Sequence, residues 1–539
     1  MKRSAVAGFA LAAFLALTLP ARAQAPADAA AARIHADVAF LADDALEGRG
    51  TGQRGYDLAA LYVQTAMQGM GLRPGADGGW RQPVTVARLG IATEGATLTW
   101  TPAGGEPIVW ASGREALFGV GRQAGQQVQP AQLVFVGFGV DAPDQGMDDY
   151  AGLDVAGKVV VLLSGAPAGT DPAVAERLEA GKARMAEARG AIGTITVNTS
   201  ASAARYTDAL LARFANRTES VWVGPDGLAR RQSPGIRVTA FLNDAAAGAL
   251  FRGAPRSYAD IRREAEASGA RPAGFALAGE AVFDVHTRRE DVRSSNVIGL
   301  IEGSDPTLKD EYVVLTAHLD HLGISGTGED RINNGALDNA GGIASMLEAA
   351  RMLAANPPRR SVLVVALTAE EWGLLGSDYL AQHPVVDGVV ANVNLDMPIL
   401  TYDFTDVVAF GAEHSSMGPL VAAAARTEGL SLSPDPMPEQ NVFTRSDHYS
   451  FVKAGVPSVM LATGYANGGE AAWGAFFANG YHRPSDEITE FNWNAAARFA
   501  RVNAAIARAL ADADQRPLWY QGNPYGDRYA PGAPRAPAP

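Results

Sequence analysis

Apolar and polar positions alternate with two different textures along this chain. In the first, short runs such as Val313–Ala317 and Val362–Leu367 are β-branched and free of charge. That pattern predicts strands buried on both faces of a mostly parallel sheet. Between these two runs, Ile343, Met346, Leu347, Ala350 and Leu353 recur at helical spacing and predict a crossover helix. Further strands are expected at Ser295–Leu300, Val389–Leu395, Val407–Phe410 and Pro457–Leu461, with helices at Pro419–Glu428 and Trp493–Ala511. Upstream, from Ile34 to Gly71, two apolar sets at helical spacing flank a break at Gly48-Arg49-Gly50-Thr51-Gly52.

The second texture fills the region from about 85 to 285. Ala96–Trp100 and Ile108–Trp110 flank Pro102-Ala103-Gly104-Gly105, a hairpin signature. Strands are predicted at Gln132–Val140, Lys158–Leu163, Ile192–Val197, Val238–Leu242 and Phe275–Val285, and a charged helix at Pro172–Arg189. This β-rich region holds no cluster of metal-ligating side chains, so it is expected to be a structural or substrate-shaping insert. From Arg516 the chain is rich in Pro, Gly and Tyr without a period, which predicts a tail that lies on the surface or is disordered.

Composition narrows the picture. The chain has 539 residues and a formal charge of −13, and no Lys/Arg cluster forms a basic patch, which argues against a nucleic-acid partner. Lys2-Arg3, the apolar run Ala5–Leu19 and Ala21-Arg22-Ala23 read as a secretory signal peptide over residues 1–23. The run is too short for a membrane span, so no stable anchor is expected after cleavage, and the mature protein is expected in the periplasm or outside the cell. There is no Cys, so any bound metal must be held by His and carboxylate.

The acids and histidines that could do this lie just past the C-terminal ends of predicted strands, where open α/β sheets place their ligands. His318 and Asp320 share a face of an extended segment, so the Asp320 carboxylate could hold the far N–H of a metal-bound imidazole. Asp338 follows a Gly-Ala-Leu turn and could equally be a helix N-cap. Glu370 and Glu371 are adjacent at a strand end, so one can bind metal while the other faces substrate. Asp396 ends the next strand, and His482 sits in a loop before the last helix. Of the other histidines, His321 and His448 are read as supporting groups, and His35, His286, His383 and His414 as solvent or core residues. Three carboxylates and two neutral imidazoles suit two Zn²⁺ ions, with Mn²⁺ or Co²⁺ as possible substitutes.

The order His-x-Asp, Asp, Glu-Glu, Asn-x-Asp-Met, Tyr-His resembles the co-catalytic zinc aminopeptidases of metallopeptidase family 28, the bacterial leucyl-aminopeptidase type, over about Asn296 to Ala511. Phe40–Gly50 is similar to the opening helix and loop of members with an inserted domain. Val134–Val140, with Asp149-Tyr150 and Gly157–Val160, is similar to a protease-associated domain. Between the signal peptide (1–23) and the tail (516–539), the resemblance implies an N-terminal helical part of the catalytic domain (24–84), a protease-associated insert (85–285) and the zinc-peptidase domain (286–515). It implies that His318 and Asp396 bind one zinc, Glu371 and His482 the other, and that Asp338 bridges them. Glu370 would be the general base, Asp320 would orient His318, Tyr481 would hydrogen-bond the oxyanion, and Arg445 would line the substrate pocket. The implied activity is hydrolytic removal of N-terminal residues from peptides by a hydroxide activated between two metals. Carboxypeptidase or dipeptidase action on the same scaffold is an alternative, as is a receptor on a dead peptidase fold. The neighbour of the bridging position departs from the family's usual acid: it is Asn339, a neutral residue.

Overall fold

The computed structural model describes residues 28–204, 207–325 and 328–539. The segment expected to be a signal peptide lies outside the described residues.

The uncharged runs of the first texture become the centre of a mixed, mostly parallel sheet flanked by helices. Its strand order is Ser431–Ser433, Asp406–Phe410, Ser458–Thr463, Val389–Leu395, Tyr312–His318 and Ser361–Leu367. Tyr312–His318 is parallel to both neighbours, and the one antiparallel pairing within this set is Asp406–Phe410 against Ser458–Thr463, with Ser431–Ser433 following Asp406–Phe410 in parallel. Alternate residues of Tyr312–His318 serve opposite faces. Val313, Leu315 and Ala317 meet Ile343, Leu347 and Phe499 of the helices Gly341–Ala355 and Trp493–Asp512. Val314 meets Leu380 and Phe451 on the other side. Both faces are covered, which is why the strands tolerate no charge until they end.

The next strand is the link to the β-rich region. Phe275–Ile301 runs for 27 residues and pairs antiparallel with the 22-residue Arg81–Pro102, from Gly279 opposite Pro102 to Val297 opposite Arg81. Its register shifts once, between Val285 and Thr287. The sequence reading placed separate strands at 275–285 and 295–300; one continuous strand joins them. The hairpin at Pro102 forms as expected, with Leu98 opposite Trp110. Beyond the ribbon the sheet continues through Gly125–Phe135, Val159–Leu163, Gly193–Val197 and Val238–Leu242, the last four lying parallel in sequence. Phe135, Val159, Val161 and Ile195 fill one face, and Val134 and Val160 the other.

The last residues lie against the part of the chain that holds the buried parallel strands rather than leaving it. Trp519 is 3% exposed, and its indole N–H donates to the Gly455 carbonyl at 2.8 Å. Asn523 caps a short helix, Pro524–Tyr529, through its side-chain oxygen. No helix among the described residues is long and apolar enough to cross a membrane.

Candidate metal centre

His318 ends its strand, and its ring lies at the sheet's C-terminal edge. The Nδ1–H donates to the Asp320 carbonyl at 3.1 Å, because a carbonyl oxygen can only accept. This leaves Nε2 facing Asp396 Oδ1 at 3.0 Å and Asp338 Oδ1 at 3.3 Å. A ring lone pair among carboxylate oxygens is repulsive unless a proton or a cation sits between them. Burial disfavours a charged His318, yet the carboxylates of Asp396 and Glu370 and the hydrogen bonds to Asp338 and Asp396 raise it well above an ordinary histidine. The electrostatics therefore call for positive charge at this point.

Asp338 stands at the centre of the cluster. It precedes the helix Gly341–Ala355 but makes no N-cap hydrogen bond there, so the capping alternative is not realised. Its Oδ2 lies 3.4 Å from His482 Nε2 and 3.9 Å from His321 Nδ1, while Oδ1 faces His318. Burial pushes Asp338 up, but the three histidines pull it far below the usual carboxylate range. Glu371 sits opposite, with Oε1 2.6 Å from His321 Nδ1 and Oε2 3.1 Å from His482 Nε2. His482 is raised to about 10, burial being outweighed by Asp338 and Glu371.

Two groups thus share one residue. His318, Asp338 and Asp396 bring potential ligand atoms within 4.8 Å of one another, and so do His321, Asp338 and Glu371. The structure brings together all five sequence-predicted ligands: His318, Asp338, Glu371, Asp396 and His482. It adds His321, which the sequence reading had made a supporting group. The signal was there, next to Asp320 and three residues from His318, but strand alternation stops at His318 and could not say where His321 would point. His448 is a supporting group only by position: it is fully buried, with neither ring nitrogen bonded.

Of the residues assigned catalytic roles, Glu370 adjoins both groups. Burial and the carboxylates of Asp396, Asp447 and Glu371 raise it well above an ordinary glutamate, against the pull of His318. Tyr481 stacks on His482 with ring centroids 3.9 Å apart, and burial and the nearby Asp338, Glu371 and Glu370 raise its phenol. Arg445 is exposed and donates to the Gln440 carbonyl at 3.5 Å. Asp320 departs from expectation. Its backbone carbonyl, not its carboxylate, holds His318, because the strand ends there and the side chain no longer shares the ring's face. The carboxylate instead accepts from Thr51 Oγ1 at 2.9 Å and from the Glu370 backbone N–H at 3.1 Å.

Other supports were illegible in sequence. Asp486, 2% exposed, accepts from the backbone N–H groups of Leu337 and Asp338 at 2.9 and 3.0 Å. The Ser446 hydroxyl donates to Asp396 Oδ2 at 2.5 Å. Buried Arg49 donates to the carbonyls of Leu319, Asn334, Gly335 and Leu41.

Residues 296–507 match the model of Peptidase family M28. The "probable leucine aminopeptidase 2" of Aspergillus oryzae is 29% identical over 263 residues, 44% of this chain and 48% of its own length. Aminopeptidase YwaD of Bacillus subtilis is 29% identical over 199 residues, 36% of this chain and 40% of its own. This chain therefore spans about half or less of the length of these curated relatives. Among solved structures, an aminopeptidase from Aneurinibacillus sp. strain AM-1 is 20% identical with a TM-score of 0.45, covering 88% of this chain and 92% of its own. BSAP, a zinc aminopeptidase from Bacillus subtilis, is 20% identical with a TM-score of 0.41, covering 90% and 95%. With the ligand cluster inside the matched segment, the chain carries a domain of peptidase family M28 over residues 296–507.

Proposed function

We propose that this protein is an exported, zinc-dependent exopeptidase that releases N-terminal residues from peptides. The observation that carries the reading is the pair of three-residue groups sharing Asp338, with Glu370 beside them. Relatives named as zinc metalloproteases and aminopeptidases support the metal and the reaction class. Export rests on the signal-like first residues, and the β-rich segment is read as a protease-associated insert on its sequence resemblance.

The donor set fits zinc. All the converging atoms are imidazole nitrogens or carboxylate oxygens, and they sit where the chain alone is left with crowded, mutually repelling acceptors. His318, Asp338 and Asp396 would hold one ion. Asp338 and Glu371, with His482 and His321 both within reach, would hold a second. Bound zinc supplies a Lewis acid for the scissile carbonyl and makes an attacking water more acidic.

The chain's own groups do the rest. Glu370, raised by burial and neighbouring carboxylates, is matched to take a proton from the attacking water and return it to the leaving amine. Tyr481 remains a phenol in this setting and can donate to the oxygen on which charge develops. Asp320 fixes the backbone of the Glu370-Glu371 pair. Arg445 is a cation near Tyr481 and keeps carboxypeptidase or dipeptidase action as a second reading. Comparing a leucine anilide with N-blocked dipeptides separates the two.

The deciding experiment is Glu370→Gln. Turnover should fall on the order of 10²–10⁴-fold, with zinc content and melting temperature kept. Hydrolysis at the wild-type rate would remove Glu370 from the role of base.

A further inference from the structure

One cavity adjoins the candidate metal centre at Glu371, and a second adjoins the first. The nearer, about 760 Å³, is bounded by Glu371, Trp372 and Gly373 on one side and by Arg88, Arg217 and Glu219 on the other. The farther, about 860 Å³, shares Glu219, Ser220 and Gly373 with it. The strand Glu219–Trp222, supplied by the β-rich region and paired to the long ribbon, therefore forms a common wall. Each volume lies in the range of pockets that hold sizeable ligands.

Charge differs along this groove. The nearer cavity is lined by Arg88 and Arg217 together with Glu219 and Glu371, and Arg88 pairs with Glu290 at 3.7 Å. In the farther one Arg184, Arg230, Arg231, Arg528 and Lys453 outnumber Glu219 and Asp378. Asp378 is already engaged: Lys453 Nζ lies 2.9 Å away, and the Trp222 indole N–H and the Gln382 amide both donate to it. Among the described residues, no carboxylate forms an ion pair with Arg184, Arg230, Arg231 or Arg528. Arg230 stacks over Trp222 at 5.3 Å, which fixes its guanidinium on the wall, and its Nε is buried without a hydrogen-bond acceptor. Ser233 Oγ, on the same wall, is likewise buried and unbonded. Burial lowers Arg231 below an ordinary arginine, and Glu219 only partly offsets this. A protein of net charge −13 thus keeps a group of uncompensated arginines in one place, at the end of the groove away from the metal ligands.

An enzyme that removes N-terminal residues holds the substrate's first residue at the hydrolytic groups, and only the downstream part extends outward. We propose that this groove receives that downstream part, and that Arg230 and Arg231 with their neighbours recognise a carboxylate on it, so that peptides with acidic residues beyond the scissile bond are preferred. The inference rests on the exopeptidase reading above. The carboxylate could belong to an acidic side chain or to the peptide's own C-terminus, and the test separates them.

Three pentapeptides beginning Leu-Ala-Gly and ending Glu-Glu, Gln-Gln or Lys-Lys, each with a free or amidated C-terminus, would be compared with leucine anilide, which cannot reach the groove. At low salt the amidated Glu-Glu peptide should exceed the Lys-Lys peptide in kcat/KM by roughly tenfold or more, one unscreened charge contact being worth about that. Added salt should shrink the ratio. The double variant Arg230→Gln/Arg231→Gln should abolish it while leaving the anilide unchanged. A preference for free over amidated C-termini that is the same for all three side-chain pairs would assign the terminal carboxylate. A second readout does not depend on turnover: fluorescence anisotropy of labelled Glu-Glu and Lys-Lys peptides on Glu370→Gln protein. Charge-selective binding lost with Arg230→Gln/Arg231→Gln sustains the groove even if no anilide is hydrolysed, in which case the exopeptidase reading falls alone. Equal rates and equal binding for acidic, neutral and basic peptides overturn the groove while leaving that reading intact.

Discussion

His448 shows what burial does to a histidine with no charged neighbour to offset it, the Phe443 backbone opposing it only in part. Its ring is fully enclosed beside Phe443, at 5.3 Å between centroids, and neither nitrogen finds a hydrogen bond. Burial lowers it to about 3. The sign for stability follows. Below an ordinary histidine's pKa of about 6.5 the unfolded chain binds a proton that the folded one refuses, so stability falls with pH from there down to about 3. Each unit of that interval is worth at most about 1.4 kcal/mol. Replacing His448 with Phe keeps a ring in the space and removes the proton. Urea midpoints measured from pH 7 to pH 4.5 should therefore fall less steeply in His448→Phe than in the parent. Identical slopes would mean that His448 is protonated in the fold, and that the chain opens locally to hydrate it. The same logic, in reverse, marks His318 and His482: carboxylates rather than apolar walls surround them, and positive charge is favoured there.

At the scale of elements, the site is a set of strand ends held in place by one loop. Gly48 adopts φ +67, and a Cβ there would meet the Asn333 carbonyl at 2.5 Å, so the turn brings the loop against Gly323 and Asn333 only because residue 48 is glycine. Arg49 then reaches the carbonyls of Leu319, Asn334 and Gly335, and burial lowers it to about 10 while Asp486, Asp338, Asp320 and Glu371 pull the other way. A lysine has one nitrogen and cannot span carbonyls from three segments. Arg49→Lys should leave buried carbonyls unpaired at about 1–3 kcal/mol each. It should lower the melting temperature and raise the zinc concentration needed for activity; unchanged zinc dependence would confine Arg49 to stability. This loop also marks how far the sequence could be read. His318, Asp338, Glu371 and Asp396 were legible because uncharged runs lead into acids, and a sheet buried on both faces leaves those acids only its edge. Arg49 and Asp486 were not, because their partners are backbone groups from segments hundreds of residues away or from an irregular turn, which no periodicity records. The continuous strand Phe275–Ile301 was hidden for a related reason: between Val285 and Asn296 it is a half-exposed ribbon rich in charge, and its partner lies about 200 residues earlier.

Across the whole molecule, the C-terminal segment decides how firmly the late part of the site is held. The tail's lack of period predicted either disorder or a surface course; it takes the surface course, but with a buried anchor. Trp519 is enclosed and bonded to Gly455, and Tyr525 and Tyr529 pack on Phe443 and Tyr449 at 5.0 and 6.4 Å. Phe443 and Tyr449 bracket Ser446, whose hydroxyl holds Asp396. Tyr529 and Arg528 also reach the far cavity of the groove. The tail therefore touches both the support of one ligand and the wall proposed to meet the substrate. Removing a buried tryptophan costs about 3–5 kcal/mol in lost burial and cavity formation. Trp519→Ala should reduce unfolding stability by about that amount and free the segment from Pro438 to Tyr449, which would show as faster amide exchange there than in the Arg81–Pro102 ribbon. If zinc affinity falls with it, Ser446 depends on the tail for its position. If exchange rises only beyond Arg516, the anchor secures nothing but the tail, and the candidate metal cluster is braced by the Arg49 loop, Asp486 and Ser446 without it.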